Sequence, residues 1–233
     1  MDVGNQIQLQ QESWSFADAI GTFDQHIQLS IPNCQEQREY IATLARFFLH
    51  SQSRCYEIGV STGALAEAVL ARLPDRPVGY IGLDVEAEMV QQARRRVADP
   101  RFEALQANAV DYPFAPAQLV ISYYTLQFIP LPQRERLLRR LYEILTPGGA
   151  LILYEKTLAQ SPQLQDMLTQ LYSDFKAAQG LSASAILNKA VSLRGISMPL
   201  SLEGNQQLLQ RCGFQSVELI YRAYCFAGYL AFK

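Results

Sequence analysis

The chain has 233 residues, 49% hydrophobic and 18% charged, with a formal net charge of −2. That is enough apolar material for one α/β domain with a full core, 1–233, and it tells against a protein held on nucleic acid mainly by phosphate contacts. The polar start, Met1 to Glu12, has no basic-then-apolar leader pattern and no apolar run reaches membrane-spanning length, so a soluble, cytoplasmic protein is expected. Cys34, Cys55, Cys212 and Cys225 include no Cys-x-x-Cys pair. With Cys55 and Cys225 in expected strands, they read as structural thiols in a reducing compartment, and no metal site is expected.

In chain order, 13–54 reads as a helical cap, with Trp14, Phe16, Phe23, Ile27 and Leu29 supplying apolar surface, a break at Pro32, and a second helix from Glu36 to His50. His26 and Cys34 sit near the break, where a structural role and a pocket role both stand. Cys55-Tyr56-Glu57-Ile58-Gly59-Val60-Ser61-Thr62-Gly63 is a short apolar run that turns through glycines into a helix, Ala64 to Leu73. Such a turn lets a ligand approach the main chain closely. A dinucleotide fingerprint needs glycine where Ser61 stands, so the fit to a diphosphate is poor. Val78 to Asp84 is a second apolar run closed by a carboxylate, placed to accept hydrogen bonds from ribose hydroxyls. Together the two features suit a nucleoside without phosphates.

A helix over Glu86 to Val97 follows, its Arg94-Arg95-Arg96 cluster expected in solvent, and then a strand from Phe102 to Gln106. Asn108 lies just beyond, at the edge where an open parallel sheet binds ligands, in reach of a base. A strand from Leu119 ends in Tyr123-Tyr124, two tyrosines that either line a pocket or close the core. Arg134 to Leu145 is an amphipathic helix stopped by Thr146-Pro147-Gly148-Gly149, and Ala150 to Tyr154 is the fifth strand. Helices over Gln163 to Gln179 and Ala183 to Val191 lie within an insertion, 157–200. Gln206 to Cys212, capped by Gly213, leads to strands Val217 to Tyr221 and Gly228 to Phe232, too close for a crossover helix and therefore an antiparallel hairpin. Alternating strands and helices make a doubly wound parallel sheet.

This arrangement resembles the class I S-adenosylmethionine-dependent methyltransferases: a Rossmann-like sheet of seven strands whose last hairpin is antiparallel. Within them it is most similar to the carboxy-S-adenosylmethionine synthase family, through Phe23-Asp24, Ser30-Ile31-Pro32, Thr125-Leu126-Gln127-Phe128, Leu145 to Leu151, Asp174-Phe175-Lys176 with Gly180, and Gly213-Phe214. The resemblance implies S-adenosyl-L-methionine as cofactor and a homodimer. It also implies that Glu57, Gly59, Val60 and Ser61 hold the methionine part, Asp84 and Val85 the ribose and base, Asn108 and Ala109 the adenine, and Tyr123 the sulfonium side.

The chain departs from that family where the extra carboxylate would be neutralised: Cys34 stands for its tyrosine and Ala190 for its arginine. A buried carboxylate without its partner is strongly disfavoured. Arg194, four residues on and about one turn away if the helix continues that far, could substitute, but Gly195 next to it marks the helix as already ending. Plain methyl transfer to a small-molecule acceptor therefore ranks first, with His26, Tyr123 and Tyr124 as candidate bases. Carboxyl transfer from prephenate to the donor's methyl carbon ranks second, and a non-catalytic S-adenosylmethionine-binding subunit third. An NAD-dependent oxidoreductase fails at Ser61.

Overall fold

The computed structural model describes residues 23–233. Trp14 and Phe16, expected in the helical cap, lie outside the described residues. The cap begins with α1 (Phe23–Ser30) and α2 (Cys34–Ala45), separated by Ile31 to Asn33. Five strands and three helices follow, alternating except between β3 and β4, where no helix intervenes: β1 (Arg54–Ile58), α3 (Ala64–Ala71), β2 (Gly79–Asp84), α4 (Ala87–Arg96), β3 (Phe102–Gln106), β4 (Ala117–Tyr123), α5 (Leu131–Ile144) and β5 (Leu145–Leu158). The insertion carries α6 (Pro162–Ala178), α7 (Ala183–Ser192) and the two-residue β6 (Leu200–Ser201), and α8 (Leu202–Arg211), β7 (Ser216–Ala223) and β8 (Phe226–Phe232) close the chain.

The strands form one sheet in the order β3-β2-β1-β4-β5-β8-β7, with β6 beside the end of β5. Strands β1 to β5 pair parallel, and β8 runs antiparallel to both β5 and β7. The order reverses direction at β1, between β2 and β4, and an open sheet of this kind has its crevice there, beyond the strands' carboxyl ends. The eighth strand, β6, is too short to show as an alternating apolar pattern, which is why seven were expected.

Each face buries its own core. Ile41, Ala45, Leu65, Val69, Val90, Leu119, Ile121 and Tyr154 gather on the side covered by α2, α3 and α4, and Tyr56, Ile58, Val120, Leu137, Leu141, Leu209 and Phe214 on the side covered by α5 and α8. Leu137, Leu138 and Leu141 recur at helical spacing on α5 and are fully buried, while Glu135 and Arg139 pair one turn apart on its wet side. Serine N-caps start the last three helices: Ser161, Ser182 and Ser201 accept from the N–H of Leu164, Ala185 and Gly204.

Three expectations change. Strand β5 starts at Leu145 and runs through Pro147-Gly148-Gly149 as an irregularity, because Leu145 already pairs with Ala117 and Gly149 accepts from the N–H of Lys233. Cys225 sits in the turn between β7 and β8, not in a strand, although it is buried like the other three free cysteines. Of the arginine cluster, Arg94 and Arg95 are exposed as expected, although Arg94 also donates to the Ala104 carbonyl, whereas Arg96 is half-buried and donates to Thr62 and Asp24. Arginine stems reach across a helix face more readily than the charge pattern alone suggests.

Candidate functional site

The crevice at the sheet's reversal point is built first from main chain. After β1 the backbone takes positive φ at Gly59 (77°), Ser61 (51°) and Gly63 (79°), so three of five residues sit in the left-handed region. The N–H groups of Gly59 and Val60 both donate to the Leu83 carbonyl, at 2.8 and 2.9 Å, and the Ser61 N–H donates to the Asp84 carboxylate at 2.8 Å. The turn after β1 and the acidic end of β2 are thereby locked together on one side of the sheet. Glycine is required at Gly59: a Cβ there would stand 2.2 Å from Thr125 Oγ1. Gly82 plays the reciprocal part on β2, leaving room for the Val60 side chain.

Asp84 accepts from Ser61 on one oxygen and from the Glu86 N–H, at 3.1 Å, on the other. Burial raises its pKa, and those N–H groups pull the other way. A carboxylate has about four lone-pair sites, so acceptor capacity remains for two hydroxyls. Val85 beside it is 59% exposed, an apolar surface at the crevice rather than in the core. Asn108, exposed beyond β3, uses its carbonyl to accept from the Val110 N–H at 3.0 Å, and Ala109 is buried beneath it.

Glu57 and Val60 lie underneath the crevice. Glu57 is 2% exposed and accepts from the Tyr80 hydroxyl at 2.7 Å; burial pushes its carboxyl up to about 8. It braces β1 against β2 from inside.

On the other side of the crevice, Ile58 pairs with Ser122, which sets Tyr123 beside Gly59. The Tyr123 and Tyr124 hydroxyls both donate to Gln37 Oε1, at 3.1 and 2.8 Å, and burial lifts both phenols well above 10. Their rings, 4.6 Å apart, begin an aromatic wall that continues through Tyr154, Tyr221, Phe226 and Tyr172. His26 on α1 lies 3.3 Å from Ser30 Oγ, and its pKa is lowered by burial and by the charges of Lys189 and Lys176. Lys176 is itself buried, its ammonium 4.2 Å from the centre of the Tyr172 ring.

Several of these residues gave no signal of their own role in the sequence. Asp24 accepts from Thr62 Oγ1 at 2.7 Å and pairs with Arg96, tying α1 to the turn after β1. Glu155 and Arg134 are each 1% exposed; neither Glu155 oxygen has a hydrogen-bond partner among the described residues, and Arg134 donates to the Ile129 and Met198 carbonyls. Burial raises Glu155 to about 8, opposed by the Arg134 charge; the Leu126 and Gln127 N–H groups favour its charged form without closing a bond on it. Among the described residues no cluster of histidine, cysteine and carboxylates has metal-binding geometry, and no helix is long and apolar enough to cross a membrane.

Comparison with known proteins agrees with this geometry. Residues 56–149, from β1 to the glycines of β5, match the family described as "Methyltransferase domain". The human N-acetylserotonin methyltransferase, solved in complex with SAM, superposes with a TM-score of 0.60 at 20% identity over 94% of this chain and 58% of that one. A Haemonchus contortus phosphoethanolamine N-methyltransferase gives 0.63 at 22% identity over 88% of this chain and 44% of its own longer chain. Those two likenesses carry the fold. Closer in sequence are carboxy-S-adenosyl-L-methionine synthases: that of Staphylococcus epidermidis is 30% identical over 222 residues, 94% of this chain and 97% of its own. That of Pseudomonas putida is 33% identical over 222 residues, 92% and 90% of the two chains. With a methyltransferase domain at its centre and relatives matched over nearly their whole length, the chain belongs to the carboxy-S-adenosyl-L-methionine synthase family of class I methyltransferase-fold enzymes.

Proposed function

We propose that the protein transfers the methyl group of S-adenosylmethionine to a small-molecule acceptor. The observation that carries this is the pairing of the Ser61 N–H with the Asp84 carboxylate, which brings a left-handed turn and an acidic strand end to one point of the crevice. The donor set suits a nucleoside without phosphates. Asp84 offers lone pairs to ribose hydroxyls, Val85 an apolar face to the base, and Asn108 an amide N–H to a ring nitrogen. Arg96, the cation bonded to this turn, is already engaged by Asp24 and Thr62, so a diphosphate would meet carboxylates instead of compensating charge.

When bound, S-adenosylmethionine supplies a methyl carbon activated by a positive sulfur. The protein's part is alignment and exclusion of water. Gly59, Ser61 and Tyr123 hold the reacting end. His26 takes the acceptor's proton: burial and the charges of Lys189 and Lys176 lower its pKa and favour the neutral imidazole, which has one unprotonated ring nitrogen. Tyr123 and Tyr124 serve as binding groups instead, since both phenols are held protonated and both donate to Gln37.

Family membership and the cations near His26 favour a second reading, synthesis of a carboxylated donor. Against it, Ala190 stands exposed on α7, and Arg194 lies past the end of that helix, exposed, next to Gly195 at φ 75°. Calorimetric titration with S-adenosylmethionine and with its carboxylated form decides between them. The plain donor is expected to bind at least about tenfold more tightly, with Ala190→Arg narrowing the gap; tighter binding of the carboxylated form by the unaltered protein overturns the first reading.

A further inference from the structure

Gln37 is a glutamine on α2 that is 1% exposed, and all of its side-chain polar atoms are committed. Its Nε2 donates to the Pro32 carbonyl at 2.6 Å. A carbonyl only accepts, so this bond fixes which end of the amide is which and turns Oε1 toward the sheet. Oε1 has two lone pairs, and two phenols fill them: Tyr124 at 2.8 Å and Tyr123 at 3.1 Å. The Cys34 carbonyl and Sγ, at 3.5 and 3.6 Å, are longer alternatives for Tyr123 on the same side.

Two consequences reach the crevice. A phenol has one proton, and with Tyr123's directed at Gln37, its oxygen has only lone pairs to present elsewhere. Tyr123, whose main chain lies beside Gly59, therefore has an acceptor and not a donor left to offer. Second, Tyr124 has φ 60°, a left-handed conformation that costs a bulky residue on the order of 1 kcal/mol or more and persists only when its surroundings hold it. Here its N–H donates to the Tyr154 carbonyl at 2.8 Å, its hydroxyl to Gln37, and its ring packs edge-on against Phe226. That kink turns the chain after β4 back, so that Thr125 fills the space left by the missing Cβ of Gly59.

We propose that Gln37 is a positioning residue which, by drawing in both tyrosine protons, presents the Tyr123 oxygen as a lone-pair acceptor to the sulfonium end of the donor, so that the site favours the cationic donor over its neutral product. An oxygen dipole and weak C–H···O contacts stabilise a positively charged methyl-sulfonium group and give a neutral thioether little. This rests on reading the β1–β2–β4 crevice as the S-adenosylmethionine site.

Calorimetric titrations with S-adenosylmethionine and S-adenosylhomocysteine test it, on the unaltered protein and on Gln37→Leu, Gln37→Glu and Tyr123→Phe. If the unaltered protein binds neither compound, the reading of the site itself fails. Given binding, Gln37→Leu removes the acceptor for both phenols and is expected to weaken the donor about fivefold while shifting the product by under about twofold. Gln37→Glu keeps acceptor lone pairs for both phenols but loses the N–H given to the Pro32 carbonyl, so it is expected to retain a preference for the donor that Gln37→Leu lacks, without matching the unaltered ratio. Tyr123→Phe, which leaves packing intact, is expected to lose the same discrimination as Gln37→Leu. An unchanged ratio in a folded Gln37→Leu, or in Tyr123→Phe should the leucine variant not fold, overturns the proposal, as does equal weakening of both compounds.

Discussion

At the β1–β2 side of the crevice, the defining bonds are made by main-chain N–H groups: Gly59 and Val60 to Leu83, Ser61 and Glu86 to Asp84. At the β4–β5 side they are made by side chains, with Gln37 reaching Tyr123 across 86 positions of sequence and Tyr172 on α6 reaching the Ser30 carbonyl across 142. The first side is a rigid cradle with little freedom to change. The second is assembled from the cap, the insertion and the hairpin, whose residues are replaceable one at a time. On the function proposed above, the donor half is constrained by backbone geometry, and the acceptor half by whichever side chains the additions bring.

If the donor half is rigid, changing its backbone has the largest effect. Gly59→Ala combines a φ of 77° with a Cβ overlapping Thr125, and is expected to destabilise the fold by about 2–4 kcal/mol, read by chemical denaturation. Thr125→Gly in the same chain should recover the overlap part; full stability of Gly59→Ala alone would show the turn to be softer than described. Asp84→Ala should weaken nucleoside binding by about 1–3 kcal/mol in calorimetry, because it removes an acceptor for two hydroxyls.

The acceptor half carries its own signature in pH. Burial of Glu155, on β5, pushes its carboxyl up to about 8 in the fold against an ordinary value of 4.5, so the fold binds its proton more tightly than the unfolded chain does. That stability is complete below the unfolded value and is lost as pH rises through about 8. Glu57 shares the sign and the value on the donor side. The melting temperature is expected to fall from about pH 4.5 to about 8 and to level off above that, with Glu57→Gln and Glu155→Gln each flattening the slope; a slope untouched by both variants would remove the buried carboxylates from the account. The smallest effect belongs to the clamp joining the halves. The Asp24 and Arg96 side chains are about one-third exposed, 31% and 30%, so Asp24→Ala should cost only about 0.5–1 kcal/mol, and a double-mutant cycle with Arg96→Ala isolates the pair.

The same contrast explains what could be read from residues alone. The turn at Gly59 to Gly63, the acidic end of β2 and the alternation of strands and helices are local patterns, and they lie where spacing places them. The hairpin followed from the short gap between β7 and β8. Gln37 had no such signal, because a glutamine on a helix is ordinarily a solvated residue until the tyrosines it meets are known. Asp24 and Arg134 are alike in this: Asp24 meets Thr62 and Arg96, and Arg134 donates to the Met198 carbonyl, all distant in sequence. The arginine cluster misled at one position for the same reason, since Arg96 is drawn to Thr62 and Asp24 by contacts that no periodicity reveals.

Mass spectrometry of the small molecule released from purified protein tests the central claim most directly. The expected result is S-adenosylmethionine or its demethylated product. A carboxylated sulfonium in the same fraction would contradict plain methyl transfer.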